Sequence, residues 1–276
     1  TTRSRASEEA SAQAETGHNH TTHSSTHAAG ANLPRLLLRR PTIIPQAQDP
    51  LMISPMCSTR PRTLLSHLSA DQTVIEHTTP LILGSSSPRR RQILETLSIP
   101  IRVIPAEADE IHRDGESPEE YLQRIVLDKL KSAAARVGTN PCGGLLVADT
   151  IVLRQRRILG KPKDLEDACR TLHALSGKAH EVHTRFAIAV PTNLSVPIHQ
   201  QTVCTTVHFR SLTDDEIIRY ATSGEGMDKA GAYAAQGLGS FAVERIDGSF
   251  SNVVGLPTCE VVLALLQTRL LLSFPP

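Results

Sequence analysis

LILGSSSPRRRQILETL, residues 81–97, passes from an apolar run through three hydroxyls into a proline and three arginines, then resumes an apolar spacing. LILG, bounded by Pro80 and Gly84, reads as a short buried strand. Ser87 and Pro88 supply the N-cap and first position of a helix. Ile93, Leu94 and Leu97 then recur at helical spacing. A helix start carries orphan N–H groups and the positive end of its dipole, so it suits an anion. Ser85, Ser86 and Ser87 add hydroxyls there, and Arg89 and Arg90 add planar forks shaped for phosphate oxygens. The same residues also fit a capped surface helix with a solvated basic first turn, because the Gly-x4-Gly-Lys spacing of a P-loop is missing.

The flanking chain keeps alternating between the two periods. IRVIPA (101–106) reads as a strand, and SPEEYLQRIVLDKLKSAAARV (117–137) as an amphipathic helix capped by Ser117, with Tyr121, Ile125 and Leu130 inward. GGLLVADTIVL (143–153) is an apolar strand broken by one acid. DLEDACRTLHALSG (164–177) is a helix ending at Gly177. EVHTRFAIAV (181–190) and TTVHFRSL (205–212) alternate as strands, and TDDEIIRYATSG (213–224) opens on a capping box from Thr213 to Glu216. SFAVERIDGS (240–249) is strand-like, and TCEVVLALLQTRLLL (258–272) is a last helix. This order implies an α/β fold with a mixed sheet and flanking helices.

Composition narrows the partners. Lys and Arg number 29 against 28 Asp and Glu, Trp is absent and aromatics make up 3%. That balance lacks the basic excess and stacking rings of a nucleic-acid binder, so no nucleic-acid partner is expected. No apolar run reaches the length of a membrane span, and no membrane partner is expected either. The five cysteines (Cys57, Cys142, Cys169, Cys204, Cys259) form no CxxC pair and read as reduced thiols. Residues 1–80 contain no Lys and open on a Ser/Thr/Ala/His-rich stretch without periodicity; they read as a disordered extension preceding a domain at 81–272. Within it, His18, His20, His23 and His27 fit a polar tail better than a metal site, and LPRLLLRRPTIIP (33–45) leaves organellar targeting open beside a cytoplasmic expectation.

Five further features carry chemistry. Asp149, between Val147-Ala148 and Ile151-Val152, puts a carboxylate in a strand that resumes its apolar run at once. Such a charge asks for a Lys, an Arg or a metal ion beside it. Glu107, Asp109 and Glu110 follow a strand, and Gly160-Lys161-Pro162 makes a rigid turn a dozen residues after Asp149. Lys129 lies inside the long helix, where a lysine usually snorkels to solvent. In MDKAGAYAAQGLGSF (227–241), small residues let backbone approach a ligand, while Lys229, Tyr233 and Gln236 offer donors; a Gly-rich connection is the plain alternative. An anion cradle, paired acids and several lysines suit a phosphate-bearing substrate with a divalent cation.

Taken together, GSSSPRRRQIL, ADTIVL followed by GKP, LSGKAHEVHT, VHFRSLTDDEI, DKAGAYAAQG and GSFSNVVGLP resemble, in order, the Maf family of nucleoside triphosphate pyrophosphatases over about residues 81–270. The resemblance implies an elongated mixed sheet with a cleft between two lobes, as in inosine triphosphatases. It implies cleavage between the α and β phosphates with Mg²⁺ or Mn²⁺. By motif position Ser85, Ser87, Arg89, Arg90 and Lys229 would contact substrate, Glu110 and Asp149 would serve the metal and the attacking water, and Lys129 and Lys161 would neutralise phosphate charge. Thr150 and Gln236 match the dTTP/UTP branch, an amide suiting a pyrimidine edge. A homodimer is the family expectation. The alternatives are a 7-methyl-GTP pyrophosphatase, and a nucleotide-binding regulator of cell division acting through protein partners.

Overall fold

Leu81–Gly84 forms β1, with all four residues buried, and Ser87 starts α1 (Pro88–Thr96) by accepting the Arg90 N–H. Both follow from the local chemistry read above, as does the capping box at Ser117 that opens α2 (Pro118–Val137) after β2 (Ile101–Val103). The chain continues through β3 (Gly144–Arg154), β4 (Arg157–Leu159), α3 (Leu165–Leu175), β5 (Ala179–Ala189) and β6 (His199–Phe209). It ends with α4 (Asp214–Thr222), β7 (Val243–Asp247), α5 (Phe250–Val254) and α6 (Thr258–Gln267). This computed structural model describes residues 73–275. The N-terminal histidines, Cys57 and the apolar-basic stretch at 33–45 lie outside the described residues.

The seven strands among the described residues make one mixed sheet in the order β2-β1-β3-β5-β6-β7, with β4 also on β3. β1 runs parallel to β2 and β3, and the remaining pairs are antiparallel. Strand alternation sorts the core. Leu81, Leu83, Leu146, Ala148 and Phe186 pack with Leu94 of α1 and with Val261 and Leu265 of α6. Their neighbours Ile82, Leu145, Val147 and Ala187 pack with Val126, Leu130 and Ala133 of α2 on the other face. Further along, Val152, Val182 and Val207 meet α3 and α4 through Leu172, Leu175 and Ile217. Each fully buried Leu or Ile is worth roughly 1.5–3 kcal/mol and an exposed ion pair about 0–1, so apolar packing holds these layers together.

Two features of this topology create the cleft. From β1 the chain crosses through α1 on one face to β2, then returns through α2 on the other face to β3. The end of β1 is therefore a switch point, where open α/β sheets bind ligands. β3 also carries β5 along one edge from Leu145 to Leu153, whereas its other edge pairs β1 only up to Val147 and β4 only from Val152. Residues 148–151 thus face a gap in the ladder, and Asp149 and Thr150 sit in it. Gly84 closes β1 beneath α2, where a Cβ would come within 2.7 Å of Val147 Cγ1 and 2.9 Å of Ala133 Cβ.

Several boundaries differ from the sequence reading. Residues 73–80 pack on the domain: Ile75 is buried and its N–H pairs with the Leu270 carbonyl. β6 begins at His199, well before the Thr205 read from alternation. α6 stops at Gln267, where Arg269 turns left-handed and sends Leu270 and Leu271 back into the core. β4 and α5 were not anticipated, being three and five residues long and too short to show a period.

Candidate active site

The ladder gap opens into a cavity of about 620 Å³, within the roughly 300–1,000 Å³ typical of small-molecule sites. The eleven residues to which the resemblance gives roles all line it: Ser85, Ser87, Arg89, Arg90, Glu110, Lys129, Asp149, Thr150, Lys161, Lys229 and Gln236; among the acids read beside Glu110, Glu107 and Asp109 do not. They arrive from six places in the fold, and no two adjacent segments supply the whole set. The lining carries five cationic side chains against three carboxylates, Glu110, Asp149 and Asp228, so it is positive although the chain is nearly neutral.

Asp149 and Thr150 are neighbours on β3, so they point to opposite faces of the sheet. Asp149 faces α2, where Lys129 Nζ donates to its Oδ1 at 2.6 Å and to Glu110 Oε1 at 2.9 Å. Lys161 Nζ stands 4.0 Å from the other Glu110 oxygen. Burial pushes the Glu110 carboxyl upward, but the Lys129 hydrogen bond and the charges of Lys129, Lys161 and Arg90 together outweigh it, and the net shift is down. Lys129 is therefore no snorkelling surface lysine; 12% of its side chain is exposed.

Thr150 faces α1. Arg90 is buried there and donates from Nη2 to Thr150 Oγ1 (3.0 Å), from Nη1 to Ser85 Oγ (3.2 Å) and from Nε to the Gly255 carbonyl (2.8 Å). Burial lowers its pKa, though an arginine so placed stays charged. The Ser85 hydroxyl also accepts the Ser87 N–H, which folds the loop onto the start of α1. Thr150 Oγ1 lies 2.9 Å from Thr184 Oγ1, and Thr184 donates to the Asn252 carbonyl. Asn252 in turn donates to Val182 O and Thr205 Oγ1, each at 3.0 Å. A buried polar chain thus ties the serine-arginine turn to α5.

Three supporting residues escaped the sequence reading. Arg124 clamps Glu116 through two bonds of 2.7 and 2.8 Å and donates to the carbonyls of Asp109 and Ile111, on either side of Glu110. Tyr121, read only as core, also donates its hydroxyl to the Glu110 carbonyl; burial first, then the Asp149 and Glu110 charges, push its phenol up to about 12. Asn252 is fully buried in GSFSNVVGLP (248–257), a stretch that entered the sequence reading only as part of the resemblance, with no role given to the asparagine. Lys229 is tied down as well, donating to the Glu225 carbonyl and the Asp228 carboxylate.

The donor chemistry fits a divalent cation of the hard, oxygen-seeking kind. Glu110 and Asp149 share one lysine, and among the described residues no group of three or more His, Cys, Asp or Glu converges. Two carboxylates suit an ion such as Mg²⁺, which is commonly held by one or two of them plus substrate phosphates. They do not make a closed protein cage.

Comparison with known proteins points the same way. The family described as Maf-like protein matches residues 80–268. A dTTP/UTP pyrophosphatase of Citrifermentans bemidjiense is 45% identical over 185 residues, covering 67% of this chain and 93% of the relative. Proteins of the same name from Myxococcus xanthus (44% over 202 residues, 72% and 94%) and Syntrophomonas wolfei (45% over 179 residues, 65% and 92%) are similar to the same degree. Among the described residues no helix is long and apolar enough to cross a membrane.

Proposed function

The chain belongs to the Maf family, and we propose that it hydrolyses nucleoside triphosphates, dTTP and UTP foremost, to the monophosphate and pyrophosphate. The observation that carries this reading is the two-sided cleft. A helix N-terminus with Ser85 and Arg90 lies on one side of Asp149–Thr150, and Lys129 with Glu110 on the other.

In this reading the triphosphate lies along the positive wall. N–H groups at the start of α1, the Ser85 and Ser87 hydroxyls, Arg89, Arg90, Lys161 and Lys229 take its oxygens, and their charge offsets that of the departing pyrophosphate. Asp149 accepts a proton from the water that attacks the α-phosphorus as the bond to the β-phosphate oxygen breaks. Lys129 holds Asp149 in place through the 2.6 Å hydrogen bond and adds its charge to the wall that faces the phosphates. Glu110 and Asp149 would hold a divalent cation, Mg²⁺ or Mn²⁺, which would neutralise phosphate charge and polarise the reacting phosphoryl group. Gln236 presents an amide whose donor and acceptor complement a pyrimidine edge.

The test is a panel of UTP, dTTP, CTP, ATP, GTP and 7-methyl-GTP at matched concentrations with Mg²⁺, reading pyrophosphate release. Faster release from UTP and dTTP supports the reading. Preference for a purine, 7-methyl-GTP included, would overturn the base assignment, and orthophosphate as the first product would overturn the bond assignment.

A further inference from the structure

We propose that Glu225 is a positioning residue for base selection: its carboxylate fastens the two ends of the 225–239 loop and so fixes where Gln236 stands in the cleft. The proposal rests on the reading of Gln236 as the base-facing amide.

Glu225 does not line the cavity; its carboxylate ties the loop that does to Tyr220 of α4. One oxygen, Oε1, accepts the Leu238 N–H at 2.8 Å, while Oε2 accepts the Gly239 N–H at 2.7 Å and the Tyr220 hydroxyl at 2.9 Å. Two successive backbone N–H groups on one carboxylate form an anion nest, and each such bond is stronger than a neutral one. Tyr220 Oη also accepts the Ala234 N–H at 3.1 Å, so the same cluster grips the strip just before Gln236. At the near end Lys229 donates to the Glu225 carbonyl.

The glycines of this loop are those the fastening demands. A Cβ on Gly226 would collide with the Ala232 carbonyl, and one on Gly237 with the Glu225 carboxylate itself. Gly237 also adopts φ +101°, which a side chain rarely tolerates. A Cβ on Gly239 would lie 2.5 Å from both the Ala234 carbonyl and Tyr220 Oη. Gln236, next to Gly237, is itself exposed. Its position is set by the backbone on either side, which Glu225 holds. Of the phosphate-binding groups proposed above, Lys229 alone stands on this loop, and its bond to the Glu225 main-chain carbonyl does not involve the carboxylate, so loosening the loop acts on the base end first.

The experiment compares the full-length protein with Glu225→Gln, Tyr220→Phe and Gln236→Ala, measuring kcat and KM for UTP and GTP with Mg²⁺. For Glu225→Gln, which keeps the shape but turns one acceptor into a donor, KM for UTP rises roughly tenfold, kcat stays within about threefold, and the UTP-over-GTP preference drops roughly tenfold. Tyr220→Phe shifts the same quantities in the same direction by less, and it decides the matter should Glu225→Gln not fold. Equal losses of kcat on both nucleotides with selectivity kept, or no change in KM and selectivity, overturn the proposal. If Gln236→Ala keeps full selectivity, the reading of Gln236 is wrong. If Gln236→Ala loses selectivity and the other two variants keep it, the Glu225 assignment alone is wrong.

Discussion

The Lys129 ammonium donates to Asp149 Oδ1 across 2.6 Å, and only 12% and 14% of the two side chains are exposed. The acid that interrupts an apolar strand is thus matched from the helix packed over it. Lys129 reaches Glu110 too, at 2.9 Å, so one positive charge serves two negative ones. The trio carries a formal net charge of −1 inside a cavity whose remaining charged side chains are four cations and Asp228. That local sign is what a metal-bound polyphosphate requires, an acceptor for the cation set among donors for the phosphates.

Asp149→Asn preserves the volume and most hydrogen bonding of the side chain while removing its ability to take a proton. The expected result is a fall in kcat of about 10²–10⁴, with KM for UTP changed less than about threefold. Steady-state pyrophosphate release checks this. A variant turning over near the wild-type rate removes Asp149 from proton transfer.

Lys129→Met leaves a largely enclosed carboxylate without its partner, which destabilises the fold by about 1–3 kcal/mol. The double variant Lys129→Met with Asp149→Asn should recover much of that loss, because the stranded charge is gone. Urea melts of the wild type, both single variants and the double variant supply the cycle. Strictly additive effects mean the 2.6 Å contact carries no coupling.

How much of this was legible depends on how local each signal is. Ser87-Pro88 and Thr213-to-Glu216 announced their helices because a cap is read within four residues. Asp149 stood out since a charge in an apolar strand violates the pattern around it. Its partner was a different matter: Lys129 is twenty residues away in sequence, and helix periodicity alone gives it a solvent position. Arg124 and Asn252 were invisible for the same reason, their bonds spanning 8 to 15 and 47 to 70 residues. The ladder gap at 148–151 was illegible in principle, because it depends on where two other strands stop. Family resemblance supplied Lys129 and Lys161, which spacing left bland.

Arg90 and Arg91 are adjacent arginines with opposite environments, which separates fork geometry from charge. Arg90 is buried and holds Ser85, Thr150 and the Gly255 carbonyl, whereas Arg91 meets only Glu95 with 61% of its side chain exposed. Arg90→Lys keeps the charge and loses the fork, so stability falls by about 1–3 kcal/mol and KM for UTP rises roughly tenfold. Arg91→Lys should change stability by under about 0.5 kcal/mol. Melts and steady-state kinetics on the two variants check the contrast, and equal effects would refute a directional role for Arg90.

The segment carrying Glu110 should loosen in acid through a group outside the cleft. The hydrogen bond from Arg124, ahead of the opposing effect of burial and the smaller help of the Arg113 N–H, holds Glu116 well below its ordinary 4.5, at about 2. A carboxylate depressed by folding stabilises the native state above its unfolded value, and that contribution is lost as pH falls toward the folded one. Glu116→Gln should therefore melt below the wild type at pH 6. The gap should narrow from about pH 4.5 downward and close near pH 2, where the wild type is protonated too. Because Arg124 also holds the carbonyls of Asp109 and Ile111, amide exchange at residues 109–113 of the variant should quicken already at neutral pH. A melting gap that stays constant from pH 6 to pH 2 means that Arg124 fixes this segment through those two carbonyls alone, with no contribution from the Glu116 charge.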